Sequence, residues 1–177
     1  MNSIGDIFLQ SAIKRVKYYK ELGEQAFQQL SDEDFYFKPN KASNNLSVII
    51  QHMSGNMLSR WTHFLTEDGE KTWRNRDMEF NDQHFSRARL MELWEKGWQC
   101  FIGALEGLRE ADLLTTVYIR QEPLTAIDAI NRQLAHYPHH VGQILYLGKL
   151  IKGDEWKSLS IERNQSAAYN AMMARKK

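Results

Sequence analysis

Four stretches of this chain repeat apolar residues at the period of an α-helix, and each is long enough that a strand could not hold the pattern on one face. The first carries Ile4, Phe8, Ala12, Val16, Tyr19, Ala26 and Leu30 with charges between them, and is expected to end near Ser31-Asp32-Glu33, before Pro39-Asn40. The second runs from about Ser47 to Leu65 with Val48, His52, Gly55 and Ser59 along one face, and stops at Thr66-Glu67-Asp68-Gly69. Asn44, Asn45 or Ser47 can cap it by accepting from the exposed amides of its first turn. The third follows Ser86 with Leu90, Leu93, Trp94, Phe101, Leu105 and Leu108. The fourth follows Thr125 with Ile127, Ile130, Leu134, Val141, Ile144 and Leu147, and Gly153 is its expected stop.

Between them lie a polar, aromatic-containing connection from Glu70 to Phe85 and a short β-branched segment, Thr115 to Arg120, too isolated to build a sheet. From about residue 154 the chain is polar apart from Trp156 and Leu159; it is expected to be largely irregular and frayed at its last residues. There is no internal repeat and no low-complexity tract. The pattern predicts one all-α domain over residues 1–177, an antiparallel four-helix bundle with long connecting loops.

Charge narrows the partners. With 23 basic and 22 acidic residues the net charge is +1, and no basic stripe follows any helix. Neither nucleic acid nor a membrane surface is expected as partner. No apolar stretch approaches the ~18 residues that cross a bilayer. The single cysteine, Cys100, excludes an intramolecular disulfide and suits a reducing cytoplasm, and Met1 to Asp6 lacks the basic head and apolar run of a signal peptide.

Chemistry concentrates in His136-Tyr137-Pro138-His139-His140, which holds three of the chain's six histidines. At i, i+4 on a helix, His136 and His140 leave one face with Cβ atoms about 6 Å apart, a spacing that lets two imidazoles hold one metal ion. His52 joins them if the second and fourth helices are neighbours. His139, about 100° around the helix, should face elsewhere, and His63 and His84 read as structural. Pro138 is the objection: it removes one backbone bond and presses on the carbonyl of Leu134, so the helix is expected to kink there or begin anew. A break would separate His136 from His140.

The order of elements resembles the DinB-like superfamily of four-helix bundles, and within it an uncharacterised branch. The matching stretches are Gly55 to Trp61, Trp73 to Asp77, Ala129 to His136, His140 to Ile144 and Trp156 to Ile161, and the resemblance in the order of elements covers nearly the whole chain. The resemblance implies that His52, His136 and His140 are metal ligands. It also implies a homodimer and kinship with low-molecular-weight-thiol transferases, in which a metal activates bacillithiol or a similar thiol against a small-molecule electrophile. Three neutral imidazoles leave a divalent ion an open position for water or thiolate. Zinc, nickel, iron and manganese all accept imidazole, with zinc or nickel the first expectation.

A thiol cofactor of that kind carries carboxylates. Arg60, Arg74 and Arg76 are candidates to bind them, or they pair with Glu67, Asp68, Asp77 and Glu79 or face water. Asn56 and Gln143 could orient a ligand or merely complete a polar patch. Trp61, Trp94 and Trp98 sit at core spacings, whereas Trp73 could line a pocket. Cys100 has no adjacent base or cation cluster to activate it. No nucleophile elbow, phosphate loop or dinucleotide fingerprint occurs. The rival to a metal-dependent transferase or hydrolase is a non-catalytic bundle that binds a metal or ligand, or dimerises. The two differ in whether the pocket above the histidines is open or plugged by the loop from Glu70 to Phe85.

Overall fold

The computed structural model describes residues 3–175. Helix α1 spans Ile4–Phe27, started by a reciprocal cap: the Ser3 hydroxyl accepts from the Asp6 amide and the Asp6 carboxylate accepts from the Ser3 amide. Helix α2 spans Leu46–Trp61, and of the three cap candidates it is Asn45 whose side chain accepts from the Val48 amide, at 2.9 Å. A single turn, α3 (Arg76–Glu79), lies in the long connection, followed by α4 (Arg87–Glu106), capped by Ser86. Helix α5 runs Ala126–Lys152, from its Thr125 cap to Gly153 in the left-handed region (φ 53°).

Four expectations need correction. Helix α1 stops at Phe27, and a separate 3₁₀ turn occupies Glu33–Tyr36. Helix α2 stops at Trp61, with His63 left-handed two residues on (φ 51°). The segment at Thr115 is not isolated: β1 (Thr116–Ile119) pairs antiparallel with β2 (Glu122–Thr125), Thr116 opposite Thr125 and Ile119 opposite Glu122. Pro123 is tolerated because a two-stranded ribbon leaves an edge for its missing donor. The polar C-terminal stretch contains a further helix, α6 (Ser166–Ala174). The expectation of fraying concerned the last residues, of which 176 and 177 lie outside the described residues.

Pro138 neither ends nor restarts α5, which is one uninterrupted helix on both sides of it. Its ring forgoes one backbone bond, and the rest of the ladder carries the helix through.

The four long helices form the expected all-α bundle, but with two parallel and two antiparallel pairs rather than antiparallel throughout, and residue pairs give each a direction. Antiparallel to α1, α4 places Arg87 at its start on the carbonyls of Phe27 and Leu30, and Glu110 just past its end on the amide of Gly5. Across the long connection, α2 and α4 run parallel: the Ser54 hydroxyl donates to the Leu93 carbonyl and Trp61 packs on Phe101. Helix α5 runs parallel to α1 and antiparallel to α2, so that Asn56 meets Tyr137 and His52 meets His140. At Gly97 a Cβ would stand 3.0 Å from the Ser54 Cα, so glycine there lets α2 and α4 approach. Trp98, Phe101, Tyr137, Ile130 and Met53 fill the centre, essentially without solvent contact. No helix among the described residues is long and apolar enough to cross a membrane.

Candidate metal centre

The antiparallel contact of α2 with α5 sets His52 against His136 and His140. One ligand atom from each of the three lies within 4.8 Å of the others, and the Nε2 atoms of His136 and His140 are 3.0 Å apart. An unbroken α5 keeps the pair on one face. His52 is buried, and its ring centroid lies 5.6 Å from that of His136 and 5.0 Å from that of His140.

Each ring is tied down from behind. His52 Nδ1 lies 3.0 Å from Glu79 Oε2, His136 Nδ1 3.2 Å from Gln133 Oε1, and His140 Nδ1 2.8 Å from Gln143 Oε1. A carboxylate and an amide oxygen only accept, so each Nδ1 carries the proton and donates. Each Nε2 is then left with a lone pair. The amide nitrogen of Gln143 faces His139 Nε2 at 3.3 Å, which is what turns its oxygen toward His140. Two lone pairs 3.0 Å apart repel unless a cation lies between them. Tetrahedral zinc with Zn–N bonds of about 2.0–2.1 Å needs nitrogens about 3.3 Å apart, so the donor set suits such an ion.

Electrostatics agree. Burial first, then the neighbouring imidazoles and Arg132, push His136 down to about 3. Burial likewise lowers His140, to about 4, against the partial support of Gln143. At neutral pH both are uncharged, the form that binds metals.

The partner of His52 comes from the long connection. Burial would push the Glu79 carboxyl up, but hydrogen bonds from Arg74 (Nε to Oε1 2.7 Å, Nη2 to Oε2 2.9 Å) and from His52 hold it below the ordinary carboxylate value. A Cβ at Gly55 would collide with that carboxylate, so the bare backbone one turn from His52 is what admits Glu79. Phe80 covers the outer face of His52, with ring centroids 4.8 Å apart. Glu79 was anticipated only as a counter-ion for arginine. Its bond to His52 bridges two elements, and no spacing motif announces it.

The other anticipated residues divide. Arg60 is buried and donates through both Nη atoms to Glu70 Oε2 (3.1 Å each) and to the Gly69 carbonyl. Arg74 holds Glu79, while Arg76 lies over the Phe80 ring, 4.8 Å from its centroid, with Asp77 at 4.0 Å. Asn56 accepts from the Tyr137 hydroxyl at 3.0 Å, which leaves its amide nitrogen for a ligand. All four line a cavity of about 240 Å³ whose wall includes His52 and His136. Gln143 is not in that wall and serves His140 instead. The loop from Glu70 to Phe85 therefore borders the pocket without plugging it. Trp73 is largely exposed, and Cys100 sits between α2 and α4 against Thr62 and Met57. Sequence reasoning also passed over Gln133, Arg120 and Arg132, which line the same cavity.

The sequence model of a family described as "Protein of unknown function (DUF1572)" matches residues 3–165. No curated protein matches the chain, and no solved structure does.

Proposed function

The chain belongs to the DUF1572 family of proteins of unknown function, and we propose, from its three-histidine cluster, that it is a divalent-metal protein and, from its resemblance to the DinB-like superfamily, that it acts as a thiol S-transferase-like enzyme. His52, His136 and His140 would hold the ion, zinc or nickel first, and a small molecule would occupy the adjoining cavity. The observation that carries this reading is the pinning of all three Nδ1 atoms by Glu79, Gln133 and Gln143, which commits three Nε2 lone pairs to one point. The resemblance to the DinB-like superfamily supports it independently, by naming the same three histidines.

Held by His52, His136 and His140, such an ion would supply Lewis acidity. The protein does the rest. Glu79, Gln133 and Gln143 hold the ring tautomers, Phe80 shields His52 from water, and Asn56 offers an amide donor at the cavity wall. In the transfer itself the thiol gives its proton to solvent water, its sulfur forms a bond to the electrophilic carbon, and the leaving group departs from that carbon with the electrons of the broken bond. The open cavity supports a substrate-binding role over an inert one. A cytoplasmic location, a low-molecular-weight thiol such as bacillithiol and a homodimer belong to the same proposal.

A second reading, a bundle that pairs without catalysis, draws on α5. Tyr146 and Leu150 are exposed there and line a groove of about 830 Å³ with Ile49 and Pro138. Metal analysis by mass spectrometry on untagged protein separates the readings. Near one ion per chain, lost in His52→Ala, His136→Ala and His140→Ala alike, supports the metal enzyme. No ion after reconstitution with zinc, nickel and manganese leaves the pairing bundle.

A further inference from the structure

We infer that the cavity beside the three histidines is a subsite for a compact dianion, a phosphate or two closely spaced carboxylates, carried by the substrate. Arg60, Arg74, Arg76, Arg120 and Arg132 all line it. Among the described residues two carboxylates hydrogen-bond to these five guanidinium groups: Glu70 accepts from Arg60 and Arg120, and Glu79 accepts from Arg74. The one ion pair of Arg76 among the described residues is with Asp77, at 4.0 Å and almost fully exposed, and Arg132 forms none among them. The wall thus carries more positive charge than its own acids neutralise, which a double negative charge in the cavity would balance.

Two features show a built site rather than a chance gathering of cations. The Arg74 side chain is 2 % exposed, yet its Nη1 is buried without a hydrogen-bond partner among the described residues, with Glu70 Oε2 4.0 Å away. A buried guanidinium N–H is rarely left unmade, and phosphate and carboxylate oxygens are the acceptors that match its fork. The second feature is the turn that presents Arg120. Arg120 (φ 56°) and Gln121 (φ 65°) are both left-handed, a conformation side chains disfavour. They are held there because the Asp68 carboxylate accepts both their amides, at 2.9 and 2.7 Å. Asp68 thereby fixes the hairpin tip over the cavity, and Glu70 fixes the Arg120 side chain.

The subsite stands on the arginines alone. Its placing of a substrate's reactive end at the histidines rests on the metal reading, since His52 and His136 complete the same wall. The substrate would be a small acid bearing phosphate or paired carboxylates, with its electrophilic or thiol group a few atoms away.

Calorimetric titration with inorganic phosphate, and separately with malonate, tests this at low chloride. The proteins are wild type, the Arg76→Gln/Arg132→Gln double variant and His140→Ala. Both arginines are exposed, so the double variant should keep the wild-type melting temperature and metal content. One site per chain is expected in wild type and in His140→Ala, weakened at least tenfold in the arginine variant. Tighter phosphate than malonate would identify a phosphate substrate, and the reverse a dicarboxylate. Absence of binding by either anion in wild type overturns the subsite, as does full affinity in the arginine variant. Binding lost in His140→Ala but kept in the arginine variant would place the anion on the ion and overturn it too. Arginine-dependent binding in a protein that takes up no metal would instead sink the metal reading and leave the subsite.

Discussion

His136 and His140 bring their Nε2 atoms to 3.0 Å across one turn of α5, each ring held from behind by the side-chain oxygen of a glutamine three residues along the helix. Left without a cation, this contact is repulsive. Binding of an ion should therefore stabilise the fold, by about 4 kcal/mol when the free ion is at a thousand times its Kd. Differential scanning calorimetry with zinc and nickel should show a raised Tm in wild type. In His140→Ala the rise should vanish while the metal-free Tm falls little. Equal stabilisation of the variant would mean that the ion binds elsewhere.

Glu79 is the charged member of the outer hydrogen bonds. Glu79→Gln should keep the shape, lose the charge that orients His52, and weaken metal binding about 10- to 100-fold. Competition with a chromophoric chelator measures this directly. Because Arg74 loses the same carboxylate, Glu79→Asp serves as the control, and partial rescue is expected if charge rather than length matters. Unchanged affinity in Glu79→Gln would remove Glu79 from the site.

Acid should destabilise the metal-free protein through the same histidines. In the unfolded chain an imidazole takes its proton near 6.5. In the fold, burial holds His136 near about 3 and His140 near about 4. Below about 6.5 the unfolded chain binds protons that the folded chain refuses, so stability is full above that pH and declines as it falls toward 4. Urea unfolding between pH 7 and 4.5 should show the decline, and a His136→Ala/His140→Ala variant should flatten it. An identical slope in that variant would assign the acid sensitivity to other groups.

How much of this was legible in the sequence depends on whether the information was local. The Ser86, Thr125 and Gly153 boundaries were, because a cap is read within one turn. So was the His136–His140 pair; His52 joined it on the condition that α2 and α5 be neighbours, which the resemblance implied. Direction was not: the stripes of α2 and α4 are the same whichever way each helix runs, and only contacts such as Ser54 with Leu93 show them parallel. The hairpin was missed because Arg120-Gln121 lacks the glycine or asparagine that usually marks a two-residue turn. Asp68, some fifty residues earlier, stabilises it instead. Glu79 and Arg120 reach the site through that same long-range placement.

Gly55 offers the sharpest test of how closely the loop is fitted to the site. A methyl group there would collide with the Glu79 carboxylate, whereas Gly142, on α5 close to His140, has nothing within 4 Å of an added Cβ. Both glycines are helical, so alanine removes the same backbone freedom at each, a gain of about 0.5–1 kcal/mol where space allows. Gly142→Ala should therefore stabilise by about that amount and leave metal affinity unchanged. Gly55→Ala should destabilise by about 1–3 kcal/mol through overpacking, and should weaken metal binding because Glu79 can no longer reach His52. Denaturant unfolding of the two variants, with metal titration beside it, sets the local cost of the Glu79 contact against the common helical gain. Matching gains in both variants would show that the loop yields freely at Gly55 and that Glu79 does not need its place beside α2.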